Sequence, residues 1–458
     1  MEERVAIILA AGAGKRMKSD RPKVLHSICG LPMVKHVANA VSSVCAKKIV
    51  VIGYHGEQVK AALGDTVQYA EQMHQLGTGH AVMQAVPLLP EKGLVVIVCG
   101  DTPLLEAATI EKLLADFQQS QAAATILTAN VPDPFGYGRI VRDERGQVCK
   151  IVEEKDAADK ERLIQEINTG TYIFDINALR ESLANLDNKN AQGEYYLTDC
   201  IAYLIAQKQL VTTSILADYR LAMGVNDRRQ LAEAQALMQN RINNKLMANG
   251  VTLVDPQTTY VDVNVVVGRD TVIMPNTMLR GTTIIGEGCE IGPNTELTDC
   301  QVGNEVSIRH SVATGSILED GVTVGPFAHL RPETVLHRGA KIGDFVEIKK
   351  SQIGENSKVT HLTYIGDAQI GSGVNMGGGI IVVNYDGRKK HQTIIKDGAF
   401  VGCNSNLVAP VTIGEGAFVA AGSTITKDVP AGSLSLARAL QVNKEGLAKR
   451  YLAQKEEE

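Results

Sequence analysis

Aliphatic residues recur every six positions through the second half of the chain: Val267, Ile273, Leu279, Ile285, Ile291 and Leu297, then Val324, Leu330, Leu336, Ile342 and Ile348, then Val401, Leu407, Ile413, Val419 and Ile425. Neither a helix, with a period of about 3.6, nor a half-buried strand, with a period of about 2, produces that spacing. A hexapeptide period belongs to a parallel β-helix, in which each aliphatic points into one narrow interior and a following Gly or Asn turns the corner. These aliphatics are core, not site. The segment NYDGRKKHQ at 384–392 interrupts the period. An insertion in a solenoid leaves the coil as a loop, often on the binding face.

Before residue 250 the pattern is different. Short apolar runs (Val5 to Ala11, Ile49 to Ile52, Leu94 to Cys99, Ala123 to Leu127, Tyr172 to Phe174) alternate with helix-like stretches such as Ile110 to Gln119. That alternation predicts an α/β half with a mostly parallel sheet and crossover helices. Residues 227–248 lack Gly and Pro, carry apolar residues at helical spacing and stop at Asn249-Gly250, which predicts a linker helix. The 458 residues allow two or three domains, and 43 glycines with 4% aromatics and no Trp agree with many tight corners around aliphatic interiors.

Lys and Arg number 46 against 51 for Asp and Glu, so a net charge of −5 gives no general attraction for nucleic acid or an anionic membrane. The eight cysteines contain no CxxC pair, which fits reduced thiols better than disulfides or a zinc site. The start MEERVAIILAAG is acidic where a signal peptide is basic, and no apolar run approaches the ~20 residues of a membrane span. The expectation is a cytoplasmic protein with a solvated KEEE end.

Two places carry chemistry on their own residues. The run Val5 to Ala11 enters GAGKRM and then SDRPK, bringing Gly12, Gly14, Lys15, Arg16 and Lys23 together after a strand. Such a turn lets backbone N–H groups approach phosphates. It matches neither the dinucleotide fingerprint nor the Walker pattern, and an ordinary strand-to-helix turn with solvated cations reads equally well. Asp101 follows the buried run LVVIVC, at a strand end where open α/β sheets bind ligands, and there it is either a Mg²⁺ ligand or a turn acid.

The segments LAAGAGKRM, PKVLH, EQMHQLGTGHA, VCGDTPLL, FGYGRIV, IVEEKDA, EINTGTYIF and GEYYLTD occur in that order. FAHLRPET, GDFVEIKKS, HLTYIGD, NYDG, LVAPVTIG and VAAGSTIT follow them. Together they resemble, over nearly the whole chain, the bacterial bifunctional N-acetylglucosamine-1-phosphate uridyltransferase / glucosamine-1-phosphate acetyltransferase family. The resemblance implies an α/β nucleotidyltransferase domain at 1–228, a linker helix at 229–249, and a left-handed parallel β-helix of hexapeptide repeats at 250–458 that carries the acetyltransferase, ends in a C-terminal tail and trimerises. It implies UTP and acetyl-CoA as co-substrates, Mg²⁺ as cofactor, and sequential acetylation and uridylylation of the sugar phosphate.

Carried onto this chain, Leu9, Ala10, Ala11, Gly12 and Gly14 surround the nucleotide, with Arg16 and Lys23 on its phosphates. Gln72, Gly77 and Thr78 read uracil; Gly138, Glu153 and Asn168 hold the acetylated sugar; Asp101 and Asn226 ligate Mg²⁺. In the second half His361 is implied as general base, a role suited to a group titrating near neutrality. Arg331 and Lys349 take the sugar phosphate, and Tyr364, Asn375, Asn384 and Tyr385 shape the amino-sugar pocket. Gly378, Cys403, Ala421 and Arg438 are assigned to acetyl-CoA.

The chain departs from the family in places. Lys15 replaces a usual Thr, and Cys99 precedes GD where another residue is common. NMGGGIIVV stands for a usual NIGAGTIT, putting Gly378 for Ala, Ile380 for Thr and Val382 for Thr, and Cys403 stands where Ser is common. Lost hydroxyls at 380 and 382 are expected to remove hydrogen bonds near the acyl acceptor. Two other classes fit parts of the pattern: a nucleotidyltransferase whose β-helix only regulates, as in ADP-glucose pyrophosphorylases, and a scaffold with neither site. His361 with Lys349, Arg331 and NYDG argues against the first, and Asp101 with Asn226 against the second.

Overall fold

A computed structural model describes residues 3–53 and 55–453, so the KEEE end lies outside the described residues. The chain divides into two compact units, Met1–Arg241 and Ile242–Glu458.

The first unit is built on a sheet in which nine strands are seen among the described residues: β1 (Arg4–Leu9), β2 (Lys47–Ile52), β3 (Gln68–Glu71), β4 (Leu94–Cys99), β5 (Ala124–Asn130), β6 (Arg139–Arg142), β7 (Val148–Val152), β8 (Glu166–Asp175) and β9 (Val211–Leu216). The main path runs β9-β5-β8-β4-β1-β2-β3, and β6 and β7 form a side ribbon off β8. Pairings are parallel except around β8, which runs antiparallel to β4, β5 and β6, and within the β6–β7 ribbon. Helices cover both faces, so the central strands read as unbroken apolar runs. Val5, Ile7, Val95 and Ile97 enter one core, while Ala6, Ile8, Val96 and Val98 enter the other. Leu9 pairs with Cys99 at the carboxyl ends of β1 and β4, so the loops after both strands open at one place.

A helix runs from Arg228 to Ala248. Its early residues pack within the first unit: Ala234 and Met238 are buried, and Arg241 meets Glu106 at 2.9 Å and donates to Leu104 O at 2.9 Å. Leu246 belongs to the interior of the second unit, with Ile242 packed against it.

The second unit is a left-handed parallel β-helix whose two- to four-residue strands stack into three sheets. Up to the last coil each strand pairs in parallel with the third strand after it, so three strands make one coil; Ile273 pairs with Ile291 and Ile291 with Ile308. Every aliphatic of the three hexad series is buried. The corners differ from the expectation of Gly or Asn. His310, Phe327, Phe345 and Leu362 also take left-handed backbone, at φ 45, 59, 56 and 49°. A hydrogen bond to the preceding coil holds several of them, as Phe327 N to His310 O at 2.9 Å and Leu362 N to Asp344 O at 3.0 Å. That ladder repays a conformation costing roughly 1–2 kcal/mol. The segment 384–392 leaves the coil as a small ribbon closed by the Tyr385–Lys390 bridge. No helix among the described residues is long and apolar enough to cross a membrane.

Candidate functional sites

In the first unit the loop after β1 folds over the loop after β4. Gly14 sits at φ +59° with Lys23 behind it, and a Cβ there would lie 2.6 Å from Lys23 Cβ, so the turn requires glycine. Gly77, at φ +109°, is pressed against Tyr195, and its own Cβ would lie 2.5 Å from Tyr195 O. Between these turns lies a cavity of about 260 Å³ lined by Leu9, Ala10, Ala11, Gly12, Lys23, Gln72, Gly77, Thr78 and Asp101 among the expected residues. Cys99, noted above as a departure from the family, lines it as well, together with Gln75 and Glu194, which were not singled out from the sequence. Gln75 donates to Ala11 O at 2.7 Å, tying the two turns together. Gln72 is buried and uses its amide nitrogen on Gly77 O and His80, at 3.1 and 3.0 Å, so it also braces the second turn.

The Lys23 ammonium binds the Asp101 carboxylate and Asn226 Oδ1, the latter at 3.0 Å. Asp101 and Asn226, far apart in sequence, thus converge on one cation. Arg16 is exposed on the short turn Lys15–Met17 and does not line this cavity. Gly138, Glu153 and Asn168 gather beside it: a Cβ on Gly138 would lie 3.5 Å from both Asn168 Cβ and Glu153 Oε2. Cys99 joins the two groups, lining the cavity while donating to Gly170 O at 3.7 Å. Burial pushes the Cys99 thiol up to about 12, so it stays neutral and is no nucleophile near neutral pH. Burial also raises the Glu153 carboxyl above its ordinary range, against a hydrogen bond of 3.0 Å from Thr198 Oγ1.

In the second unit His361 is exposed on the coil exterior, and its Nδ1 lies 2.7 Å from Asp344 Oδ1. The two residues pair across successive coils. Asp344 was not anticipated, because only the stacking of coils brings it to His361. One corner further along the same two coils, Lys349 pairs with Gly366. Lys390 and Arg331 crowd Lys349 and hold its ammonium below the ordinary value. Arg331 is paired with Glu347 at 2.9 Å. Lys390 sits on the inserted ribbon and was another residue missed. Gly366 lets the Tyr364 hydroxyl and Asn384 approach, since a Cβ there would lie 2.5 Å from each, and Asn384 donates to Asp367 at 2.6 Å. Asn375 is part-buried on the next coil, and Tyr385 is exposed on the ribbon.

Gly378, Cys403, Ala421 and Arg438 follow His361 up one line of the coil. Gly379 N bonds His361 O at 3.2 Å, Asn404 N bonds Gly378 O at 2.8 Å, Gly422 N bonds Cys403 O at 2.8 Å, and Arg438 Nη1 bonds Ala421 O at 2.7 Å. The expectation for Ile380 and Val382 is corrected: both are fully buried in the coil interior, so their apolar side chains fill core and remove no hydrogen bond from the acceptor.

A glycine-turned loop closing on a lysine and a carboxylate at the strand ends of an α/β sheet, in one chain with a hexapeptide β-helix bearing a histidine dyad, defines a nucleotidyltransferase joined to an acyltransferase. Residues 6–167 match the MobA-like NTP transferase domain, and residues 264–299 and 392–427 match the bacterial transferase hexapeptide (six repeats). The chain is 55% identical over 457 residues to the bifunctional protein GlmU of Geobacillus sp. (strain WCH70), covering 99% of this chain and 100% of that protein. It is 53% identical over 447 residues to the bifunctional protein GlmU of Halalkalibacterium halodurans, covering 97% and 98%. It is also 53% identical over 452 residues to that of Listeria welshimeri, covering 98% and 99%. The chain belongs to the GlmU family, and its two halves are the uridyltransferase and the acetyltransferase of a bifunctional enzyme.

Proposed function

We propose that the chain makes UDP-N-acetylglucosamine in two steps at the two sites described. In the second unit the amine of glucosamine-1-phosphate attacks the thioester carbon of acetyl-CoA. The N–C bond forms, the C–S bond breaks, His361 takes the amine proton and coenzyme A leaves as the thiol. Asp344 holds Nδ1, which leaves Nε2 to receive that proton. Tyr364, Asn375, Asn384 and Tyr385 shape the amino-sugar pocket, and Gly378, Cys403, Ala421 and Arg438 line the coenzyme path. The observation that carries this step is the crowding of Lys349 by Lys390 and Arg331, three cations whose repulsion a sugar phosphate relieves.

In the first unit a phosphate oxygen of N-acetylglucosamine-1-phosphate attacks the α-phosphorus of UTP in line, and pyrophosphate leaves. Residues 9–12 and Gly14 offer backbone to the nucleotide, Lys23 and Arg16 neutralise phosphates, and Gln72, Gly77 and Thr78 face uracil. Gly138, Glu153 and Asn168 hold the acetylated sugar. The carboxylate of Asp101 and the amide oxygen of Asn226 already converge on one cation, so this hard-oxygen pair fits Mg²⁺. Bound there, Mg²⁺ would supply charge neutralisation at the transferring phosphates.

A homotrimer is supported by exposed aliphatics on one exterior face of the coil, where Val266, Ile284 and Ile317 are 57, 49 and 43% exposed on strands of a single sheet, with Gln301 between the last two. Light scattering should return three chains per particle; a monomer with full acetyl transfer would refute the assembly. The thiols of Cys45, Cys99, Cys149, Cys200, Cys289, Cys300 and Cys403, none in a disulfide, support placement in the reducing cytoplasm.

Two assays test the function. Glucosamine-1-phosphate with acetyl-CoA should release free thiol, and N-acetylglucosamine-1-phosphate with UTP should release pyrophosphate. Pyrophosphate without thiol would leave the β-helix a regulatory, non-catalytic element.

A further inference from the structure

The line of residues climbing from His361 has a gap in its side chains. Gly378 stands directly after His361, between the base and the Cys403, Ala421 and Arg438 levels. A Cβ placed on Gly378 would meet only His361 Cβ at 3.4 Å and His361 O at 3.8 Å. The second is ordinary contact and the first lies at its lower edge, so the position has room for a methyl group and nothing fills it. Gly378 lies outside the left-handed backbone region, so the turn does not require glycine there. The neighbouring Gly379, at φ +73° and closed in by Asn404 Oδ1, is the residue that does.

A thioester reaching from the Arg438 end toward His361 crosses Gly378 last, so the acyl tail lies over the missing side chain. We propose that this enzyme accepts acyl-CoA donors one methylene longer than acetyl and transfers a propionyl group to the sugar amine, with Gly378 setting that breadth. The inference rests on the acetyl-transfer reading of this site. The chemistry balances as before: the amine nitrogen bonds the propionyl carbonyl carbon, the C–S bond breaks, His361 takes the amine proton, and coenzyme A departs as thiol.

The test uses the full chain and its Gly378→Ala variant with glucosamine-1-phosphate and either acetyl-CoA or propionyl-CoA, following thiol release and confirming the N-propionyl product by mass. Wild type should yield that product. The ratio of kcat/KM for propionyl-CoA to that for acetyl-CoA should fall ~10-fold or more in the variant, the discrimination one methylene gives in a shaped pocket. Melting curves establish that the variant folds. Acetyl transfer with no propionyl product in wild type, or a ratio unmoved by the substitution, overturns the inference alone. Absence of thiol release from both donors in wild type overturns the acetyl-transfer reading and the inference with it.

Discussion

Asp344 and His361 occupy paired positions on successive coils, and Asp344 Oδ1 lies 2.7 Å from His361 Nδ1 on a face open to solvent. A hydrogen bond this exposed adds little to stability, so its worth lies in fixing which imidazole nitrogen faces the substrate. The hydrogen bond from His361 holds the Asp344 carboxyl below its ordinary range, so it stays ionised through neutral and mildly acidic pH. Asp344→Asn should lower kcat for acetyl transfer by ~10² or more, through loss of the oriented tautomer. KM for glucosamine-1-phosphate and the melting temperature should stay near wild type. A variant with unchanged kcat and pH profile would reduce Asp344 to a surface contact.

The helix Arg228–Ala248 yields a second expectation. Ala234, Met238 and the Arg241 contacts to Glu106 and Leu104 belong to the first unit. A fragment of residues 1–248 should therefore keep uridylyl transfer and lack acetyl transfer. A fragment ending at 228 should melt several degrees lower, because it exposes the surface these residues cover. Equal melting temperatures for the two fragments would contradict this.

Glu153 links the sugar site to pH. Burial raises its folded-state pKa, so the folded unit binds more protons than the unfolded chain between the two pKa values, and stability falls as pH rises through that window. At neutral pH the cost of the buried charge is fully present. Glu153→Gln should raise the melting temperature of the first unit at pH 7 while impairing uridylyl transfer, and the gain should vanish as pH drops below the ordinary carboxylate range. A stability difference independent of pH would show that desolvation of this charge is not its cause.

The interior of the β-helix was legible because each coil repeats one local rule, so Ile273 and Ile348 announce themselves by spacing alone. The strand end at Cys99 was legible for a similar reason, as a continuous apolar run that stops at Gly100, whereas β1 ends at Leu9, two residues before its apolar run stops at Ala11. Asp344, Lys390 and Gln75 were not. Asp344 meets His361 only through coil stacking, Lys390 reaches Lys349 from a ribbon outside the repeat, and Gln75 meets Ala11 across two loops. Ile380 and Val382 were misread because a loss of hydroxyls says nothing about which side of the coil they faced; alternation along the strand turns both inward. The left-handed Phe327 and Leu362 carry no local signal either, since a hydrogen bond to the preceding coil sustains both corners.

The convergence of Asp101 and Asn226 on Lys23 makes a direct demand on the first site. Asp101→Asn removes the only full negative charge of the Asp101–Asn226 pair and should cut pyrophosphate release by orders of magnitude. Raising Mg²⁺ should recover part of that loss, and a variant with wild-type rates at low Mg²⁺ would remove Asp101 from the site.

Two independent sites on one chain are tested most directly by crossing the variants. His361→Ala and Asp101→Asn are each assayed for thiol release from acetyl-CoA and for pyrophosphate release from UTP. His361→Ala should lose ~10² to 10⁴ of its acetyl transfer and keep wild-type uridylyl transfer. Asp101→Asn should show the reverse pattern. Loss of both activities in either folded variant, or acetyl transfer undiminished without His361, would contradict the two-site mechanism.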